Sequence, residues 1–406
     1  MYQGICRDLA SLRVYRNILD DKVMQKLITY FTHVNEHNMD DLAVVNAYND
    51  LIFTLFQTNK TFREHLVFLI LHDDNPFSSL AEYKELADIE PVFLQALKHD
   101  LAILGNLFGA VLDGLQNESF NIGTDITVEN LNFTSHNDWT VLVEDLANYY
   151  KKYSRGLVSK YLGFYWDRNY GLKGISNLPR LDLADLIGCD LQINKLKDNT
   201  LRFLEGLPAN NVLLYGPRGT GKSTAVKALL NEYCEAGLRI VEVFRDDLDS
   251  IPELLAILKD YNLKFILFLD DLSFEDYETG YKGLKAVLEG TLEATPDNVL
   301  IYATSNRRHL VKEYFADRAR PALDEIHAQD TVQEKLSLSD RFGLTLTFPI
   351  IDKSTYLQIV NSLVEGRNIK ISPEDLERLA IEWERANHGP SGRTALQFVN
   401  SLGAGN

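Results

Sequence analysis

Asn211-Val-Leu-Leu-Tyr215, followed by Gly216-Pro217-Arg218-Gly219-Thr220-Gly221-Lys222-Ser223-Thr224, decides the reading of this 406-residue chain. The apolar run is a short strand, a glycine-rich turn leaves it, and Lys222 to Glu235 has the spacing of a helix. Glycines at 216, 219 and 221 let main-chain N–H groups converge on phosphate oxygens, where the helix N-terminus adds partial positive charge. Lys222 is expected to reach the β and γ phosphates, Ser223 to offer its hydroxyl to Mg²⁺, and Thr224 to touch a phosphate. The stretch therefore predicts a site for ATP and Mg²⁺.

Lys264-Phe-Ile-Leu-Phe-Leu-Asp270-Asp271 supplies the second half. It reads as a strand buried on both faces whose C-terminal end presents carboxylates beside the phosphate loop. Asp270 is expected to hold Mg²⁺ through water and Asp271 to polarise an attacking water. Further apolar runs at Arg239–Phe244, Val299–Ala303 and Leu344–Phe348, each separated by room for a helix, predict an α/β domain with a five-stranded parallel sheet.

Around this core, the segment from Leu9 to about Leu115 has apolar residues three and four apart, which predicts an all-helical region. Phe120 to Thr140 reads as a loop or small hairpin, and a helix resumes at Val141. Tyr149 to Arg180 interleaves seven basic residues with Tyr153, Tyr161, Phe164, Tyr165, Trp166 and Tyr170. It reads either as a linker whose aromatics pack on the next domain, or as a surface that stacks bases beside phosphate-pairing cations. After Pro349 the pattern is helical, with a helix start at Ser372-Pro373-Glu374-Asp375. The expected domains are 1–148, a helical region; 149–180, a basic aromatic linker; 181–350, the α/β nucleotide-binding domain; and 351–406, a small helical lid.

These motifs resemble those of the AAA+ ATPases, and within them a bacterial family of single-module ATP-binding proteins with a helical N-terminal part. The resemblance rests on Leu186-Ile187-Gly188, on Asn210 through Ser223, and on Asp270-Asp271-Leu-Ser-Phe-Glu275, and it extends over Leu181 to Leu402. It implies that Ile187 and Gly188 line the adenine pocket. Asn306, in Tyr302-Ala-Thr-Ser-Asn306, matches the sensor 1 residue that positions the lytic water. Arg341, in Asp340-Arg341-Phe-Gly, matches the arginine finger offered to a neighbouring subunit. Arg393, in Gly389-Pro-Ser-Gly-Arg393, matches the sensor 2 arginine that touches the nucleotide. Asp271 stands where Glu is usual; the Asp-Asp pair is similar to the bacterial replication-initiator branch, and the shorter side chain bears on rate. Glu275 is a nearby carboxylate that reads as solvated.

The resemblance implies a homo-oligomeric ATPase that acts on a protein client. Two alternatives stay open: a nucleotide-gated DNA-binding helper of replication or transposition, and a scaffold that binds ATP but hydrolyses little. The net charge of −17 falls mostly on Met1–Tyr150, with 9 Lys and Arg against 22 Asp and Glu, which repels phosphate backbones. No apolar run is long enough for a membrane span and no secretory signal is visible. Three scattered cysteines, Cys6, Cys189 and Cys234, fit reduced thiols, and the expected compartment is the cytoplasm. No HExxH or GxSxG motif suggests a peptidase. His33 and His37, four apart on one helix, read as surface residues, and Asp73-Asp74 and Asp246-Asp247 as solvated turn carboxylates. The segment from Val311 to Lys335, with Arg318, Arg320 and Pro321, reads as a loop near a subunit interface.

Overall fold

The computed structural model describes residues 2–36, 41–115, 127–128, 131–134, 136, 138–272, 284, 287–288, 295–306, 340–387 and 389–403. Glu275, His37 and the segment 311–335 lie outside these residues. The chain divides into two compact units, Met1–Lys160 and Tyr161–Asn406.

The first unit is built from α1 (Tyr2–Ala10), α2 (Lys22–Glu36), α3 (Leu42–Phe56), α4 (Phe62–Leu71), α5 (Pro76–Ala81), α6 (Pro91–Leu115), α7 (Val143–Tyr153) and α8 (Gly156–Lys160). Strands β1 (Thr127–Val128) and β2 (Leu131–Asn132) form a short antiparallel ladder. Local chemistry sets the helix starts. Thr61 and Glu64 make a reciprocal capping box at α4, and Asn75 caps α5 with Pro76 in its first turn. The apolar stripes converge on a core that includes Leu27, Phe31, Leu66, Phe77, Leu101, Trp139 and Tyr150. Asp100 is fully buried; one carboxyl oxygen accepts three main-chain N–H bonds, from Arg13, Val14 and Tyr15, at 2.6–3.0 Å, and the other stands 3.1 Å from His99 Nδ1, so both oxygens are satisfied. Asp73 is buried too, not solvated as its turn position suggested, and desolvation pushes its carboxyl up to about 6.

The second unit carries one sheet of seven strands rather than five. These are β3 (Gly163–Asp167), β4 (Gly171–Gly174), β5 (Val212–Tyr215), β6 (Leu238–Val243), β7 (Lys264–Leu269), β8 (Val299–Ser305) and β9 (Leu344–Thr347), in the order β4-β3-β6-β7-β8-β5-β9. All neighbours are parallel except β3 and β4, which form an antiparallel hairpin. The two extra strands come from the stretch expected as a linker. Phe164 and Trp166 point into the core, and Trp166 Nε1 donates to Ser250 Oγ at 2.7 Å, while Tyr165 faces outward. That period-two alternation, with parallel pairing to β6, makes the segment part of the domain.

Helices α9 (Asp190–Leu204), α10 (Lys222–Tyr233) and α11 (Ile251–Leu258) accompany the sheet. Strand β7, Lys-Phe-Ile-Leu-Phe-Leu, is buried from Phe265 to Leu269, as its unbroken apolar run requires of a strand covered on both faces. Helices α12 (Lys353–Gly366), α13 (Pro373–Ala386) and α14 (Gly392–Gly403) have their own small core around Tyr356, Val360, Ala380 and Phe398. Asp352 caps α12, and Ser372 caps α13 by accepting from Asp375 N–H. No helix among the described residues is long and apolar enough to cross a membrane.

Candidate nucleotide site

Strands β7, β8 and β5 are neighbours, so their C-terminal ends bring Asp270, Asn306 and the phosphate loop to one edge of the sheet. The loop closes tightly. Gly216 has φ 153° and a Cβ there would lie 2.5 Å from the Phe348 carbonyl oxygen. Gly219 has φ 75°, a left-handed conformation that favours glycine, and a Cβ there would lie 2.8 Å from Ser391 Cβ. Helix α10 then starts at Lys222, directly after the loop, and Gly221 at its N-cap offers no side chain to the first-turn N–H groups.

The side chains form one connected network. Lys222 is buried, and its Nζ donates to the carbonyls of Gly216 and Pro217, both at 2.7 Å, and to Asn306 Oδ1 at 3.2 Å. Burial pushes its ammonium below the ordinary lysine range, opposed by the charges of Asp271 and Asp270. Asn306 Nδ2 donates in turn to Asp271 Oδ1 at 2.5 Å. Ser223 Oγ donates to Asp270 Oδ1 at 2.5 Å. Arg218 stands 3.9 Å from Asp271 with both side chains exposed, a contact too open to fix either.

The arrangement fits a nucleotide with a divalent cation. A buried ammonium held only by neutral acceptors can exchange carbonyl oxygens for phosphate oxygens, and a hydroxyl beside a carboxylate is the hard-oxygen pair that Mg²⁺ takes. Helix α14 closes over the loop: Gly392 N–H donates to the Gly219 carbonyl at 2.9 Å. This places Arg393, exposed, next to the loop, its Cβ 3.6 Å from where a Gly219 Cβ would be.

Around Ile187 and Gly188, the residue that meets the loop is Leu186, whose Cδ2 lies 2.7 Å from where a Gly221 Cβ would stand. Gly188, with φ 81°, packs instead against Thr355 of α12. Thr224 lies half-buried in the first turn of α10. Arg341 is not part of this cluster. It lines a hollow of about 580 Å³ with Asn210, Lys264, Val299 and Gly343, which stand at the amino ends of the strands. The strand lengths put that edge roughly 15–20 Å from the phosphate loop, beyond the reach of an arginine side chain.

Sequence reading passed over Thr304. Its Oγ1 donates to Asp270 Oδ1 at 2.6 Å and accepts from Asp271 N–H at 2.9 Å. A hydroxyl at the inward-facing end of a strand beside the Asp-Asp strand is the signal that could have flagged it.

Comparison with known proteins gives distant likenesses and one family. Over 130 residues the chain is 29% identical to the proteasome-activating nucleotidase of Methanocella arvoryzae, a match spanning 28% of this chain and 30% of that protein. Among solved structures, the RuvB Holliday junction branch migration motor of Thermotoga maritima aligns with 18% identity and a TM-score of 0.37, covering 55% of this chain and 63% of that one. The AAA domain of FIGL-1 in complex with ADP aligns with 20% identity and a TM-score of 0.38, covering 56% and 75%. The family model described as "Protein of unknown function (DUF815)" matches residues 159–406, more than half of the chain. The protein belongs to the DUF815 family, and its second unit carries a glycine-rich phosphate loop at the carboxyl edge of a mostly parallel sheet.

Proposed function

We propose that the chain hydrolyses ATP to ADP and phosphate and uses the cycle to remodel or load a protein partner. The observation that carries the reading is the unbroken hydrogen-bonded chain from Lys222 through Asn306 to Asp271, beside Ser223 and Asp270, at the N-terminus of α10. Ser223 and, through water, Asp270 would hold Mg²⁺, whose charge would offset that of the phosphates.

Residues 216–224 hold the phosphates by main-chain N–H groups, with Lys222 on the β and γ oxygens. Asn306 orients the attacking water, and Asp271 accepts a proton from it as the new P–O bond forms and ADP leaves. Arg341, at the far edge of the sheet, acts on a neighbouring copy's γ phosphate, so the catalytic unit is an oligomer. Arg393 of α14 senses the nucleotide, and the Gly392–Gly219 hydrogen bond supports α12–α14 as a lid that moves with the phosphate loop. The region around Leu186, Ile187 and Gly188 receives the adenine.

A protein partner is favoured over nucleic acid. Phe164 and Trp166 are spent on the core, and Arg168 pairs with Asp247 at 3.3 Å, which removes stacking groups and a cation from the stretch 149–180. The acidic first unit exposes Leu42, Phe53 and Phe56 along one side of α3, a surface suited to a protein more than to a phosphate backbone.

The test is the ATPase rate per subunit against protein concentration, with light scattering for mass and Lys222→Ala as the blank. A rate that rises with mass supports the oligomeric enzyme. A flat rate at the level of the blank, with tight ATP binding, would replace it with the nucleotide-gated scaffold.

A further inference from the structure

We infer that Thr304 is a positioning residue that sets both the metal-binding carboxylate of Asp270 and the main-chain turn that aims Asp271. The inference rests on the ATP and Mg²⁺ reading proposed above. Thr304 lies at the C-terminal end of β8 and is 1% exposed. A threonine hydroxyl has one proton to give, and here that proton goes to Asp270 Oδ1 at 2.6 Å. The same oxygen accepts the Asp271 N–H at 2.9 Å, and the Thr304 carbonyl accepts the Leu272 N–H at 2.7 Å. One residue of β8 therefore binds three consecutive residues at the exit of β7.

The turn it binds is an unfavourable one. Asp271 has φ 51°, in the left-handed region that a non-glycine residue enters at a cost and keeps only where its surroundings fix it. The Thr304 hydroxyl and carbonyl are the hydrogen-bond acceptors that hold the main chain on that path. Leaving the path would move the Asp271 carboxylate away from Asn306 Nδ2, which it meets at 2.5 Å.

Asp270 Oδ1 accepts from two hydroxyls, Ser223 at 2.5 Å and Thr304 at 2.6 Å, and the two are not equivalent. Ser223 is half-buried in the phosphate loop helix and is the hydroxyl that a cation would take. Once Ser223 turns to the cation, Thr304 remains as the donor that keeps the Asp270 carboxylate in its orientation. Donors of this kind behind a metal-binding carboxylate typically matter 10- to 100-fold in metal affinity.

The test compares Thr304→Val, which keeps the shape and removes the hydroxyl, with Thr304→Ser, which keeps the hydroxyl. Mn²⁺ is titrated onto the full-length protein saturated with a non-hydrolysable ATP analogue, and free Mn²⁺ is read by electron paramagnetic resonance. The expected result is a loss of about 10- to 100-fold in Mn²⁺ affinity for the Val variant and less than about 3-fold for the Ser variant. Affinity for the analogue in EDTA should stay unchanged in both, which a merely structural defect would not spare. If Val does not fold, Thr304→Ala takes its place in the same comparison. Wild-type Mn²⁺ affinity in the Val or Ala variant overturns the inference, as does an equal loss in the Ser variant. Failure of the wild-type protein to bind Mn²⁺ with the analogue would overturn the nucleotide reading itself.

Discussion

The contact between the phosphate loop and α14 makes Gly219→Ala an informative substitution. At φ 75° an alanine sits in the left-handed region at a cost of about 1 kcal/mol. Its methyl would stand 2.8 Å from Ser391 Cβ and 3.0 Å from Ser391 Oγ, and an overpacked contact of this kind costs about 1–2 kcal/mol. The loop can escape both costs by rearranging locally, so global stability should hardly change. To hold phosphates it must return to this geometry, and the sum of about 2–3 kcal/mol then appears as a 30- to 150-fold loss of nucleotide affinity. Ser391→Gly removes both atoms that the methyl meets most closely, without touching the left-handed strain. The double variant should therefore recover about 1–2 kcal/mol and remain roughly fivefold weaker than wild type. A fluorescent ATP analogue titrated into the four proteins measures the cycle, and thermal unfolding on the same samples checks that the fold persists. Wild-type affinity in Gly219→Ala would refute the argument from backbone geometry. No recovery in the double variant would refute the claim that α14 presses on the phosphate loop.

Other consequences can be measured separately. Lys222→Ala should lose at least about 100-fold in ATP affinity, read by the same titration, because no other buried cation in the described site meets the phosphates. Arg341→Ala should bind ATP within about 3-fold of wild type while turnover falls about 10³-fold or more; unchanged turnover would sink the assignment of Arg341 as a finger. Asp73→Asn should stabilise the first unit at neutral pH. The carboxyl of Asp73 is raised from 3.8 to about 6 by burial, so its ionised form costs up to about 3 kcal/mol above pH 6. The folded state holds the proton more tightly between those values, so the wild type gains on acidification what the variant lacks, and the difference should vanish near pH 4. Trp139 fluorescence in urea reports this unit once Trp166 and Trp383 of the second unit are replaced by Phe in both proteins, and an advantage that persists at pH 4 would contradict the assigned cause.

How much of this was legible in the sequence follows from the range of the forces involved. The phosphate loop was legible because its requirement is local: glycines at 216, 219 and 221 and a lysine at a helix start sit within eight residues. The expected strands at 211–215, 239–244, 264–269, 299–303 and 344–348 fall within about two residues of β5 to β9; β5, β7 and β8 are buried along nearly their whole length and read as apolar runs, whereas the edge strand β9 alternates Leu with Thr. The hairpin of β3 and β4 was hidden because only one face is covered. Its outward residues, Tyr165, Arg168 and Lys173, gave the stretch the composition of a binding surface, while its inward ones, Phe164 and Trp166, were two among six aromatics. Glycine was again informative: a Cβ at Gly174 would overlap the ring of Tyr161, so this strand exists only with a bare backbone there.

Thr304 and Arg341 mark the limit of local reading from opposite directions. Thr304 meets Asp270 across 34 positions of chain, and its importance comes from strand register, since β8 pairs with β7 so that its end overhangs the Asp-Asp turn. No periodicity encodes that overhang. Arg341 was placed from motif position alone, and the sheet gives it a physical constraint that the motif did not. It stands among the amino ends of β7, β8 and β9, whereas the phosphates would lie at the carboxyl ends of β5, β7 and β8. Within one chain the two cannot meet without unpairing the strands between them, which would cost the core of the domain. A direct contact of Arg341 with a γ phosphate would therefore have to come from another copy, and its rate effect would depend on protein concentration. Mixing inactive Arg341→Ala with inactive Lys222→Ala should then restore activity, because mixed oligomers contain sites with an intact phosphate loop from one copy and an intact arginine from the next. Mixtures that stay as inactive as their components, while light scattering shows that they co-assemble, would exclude a finger acting between copies.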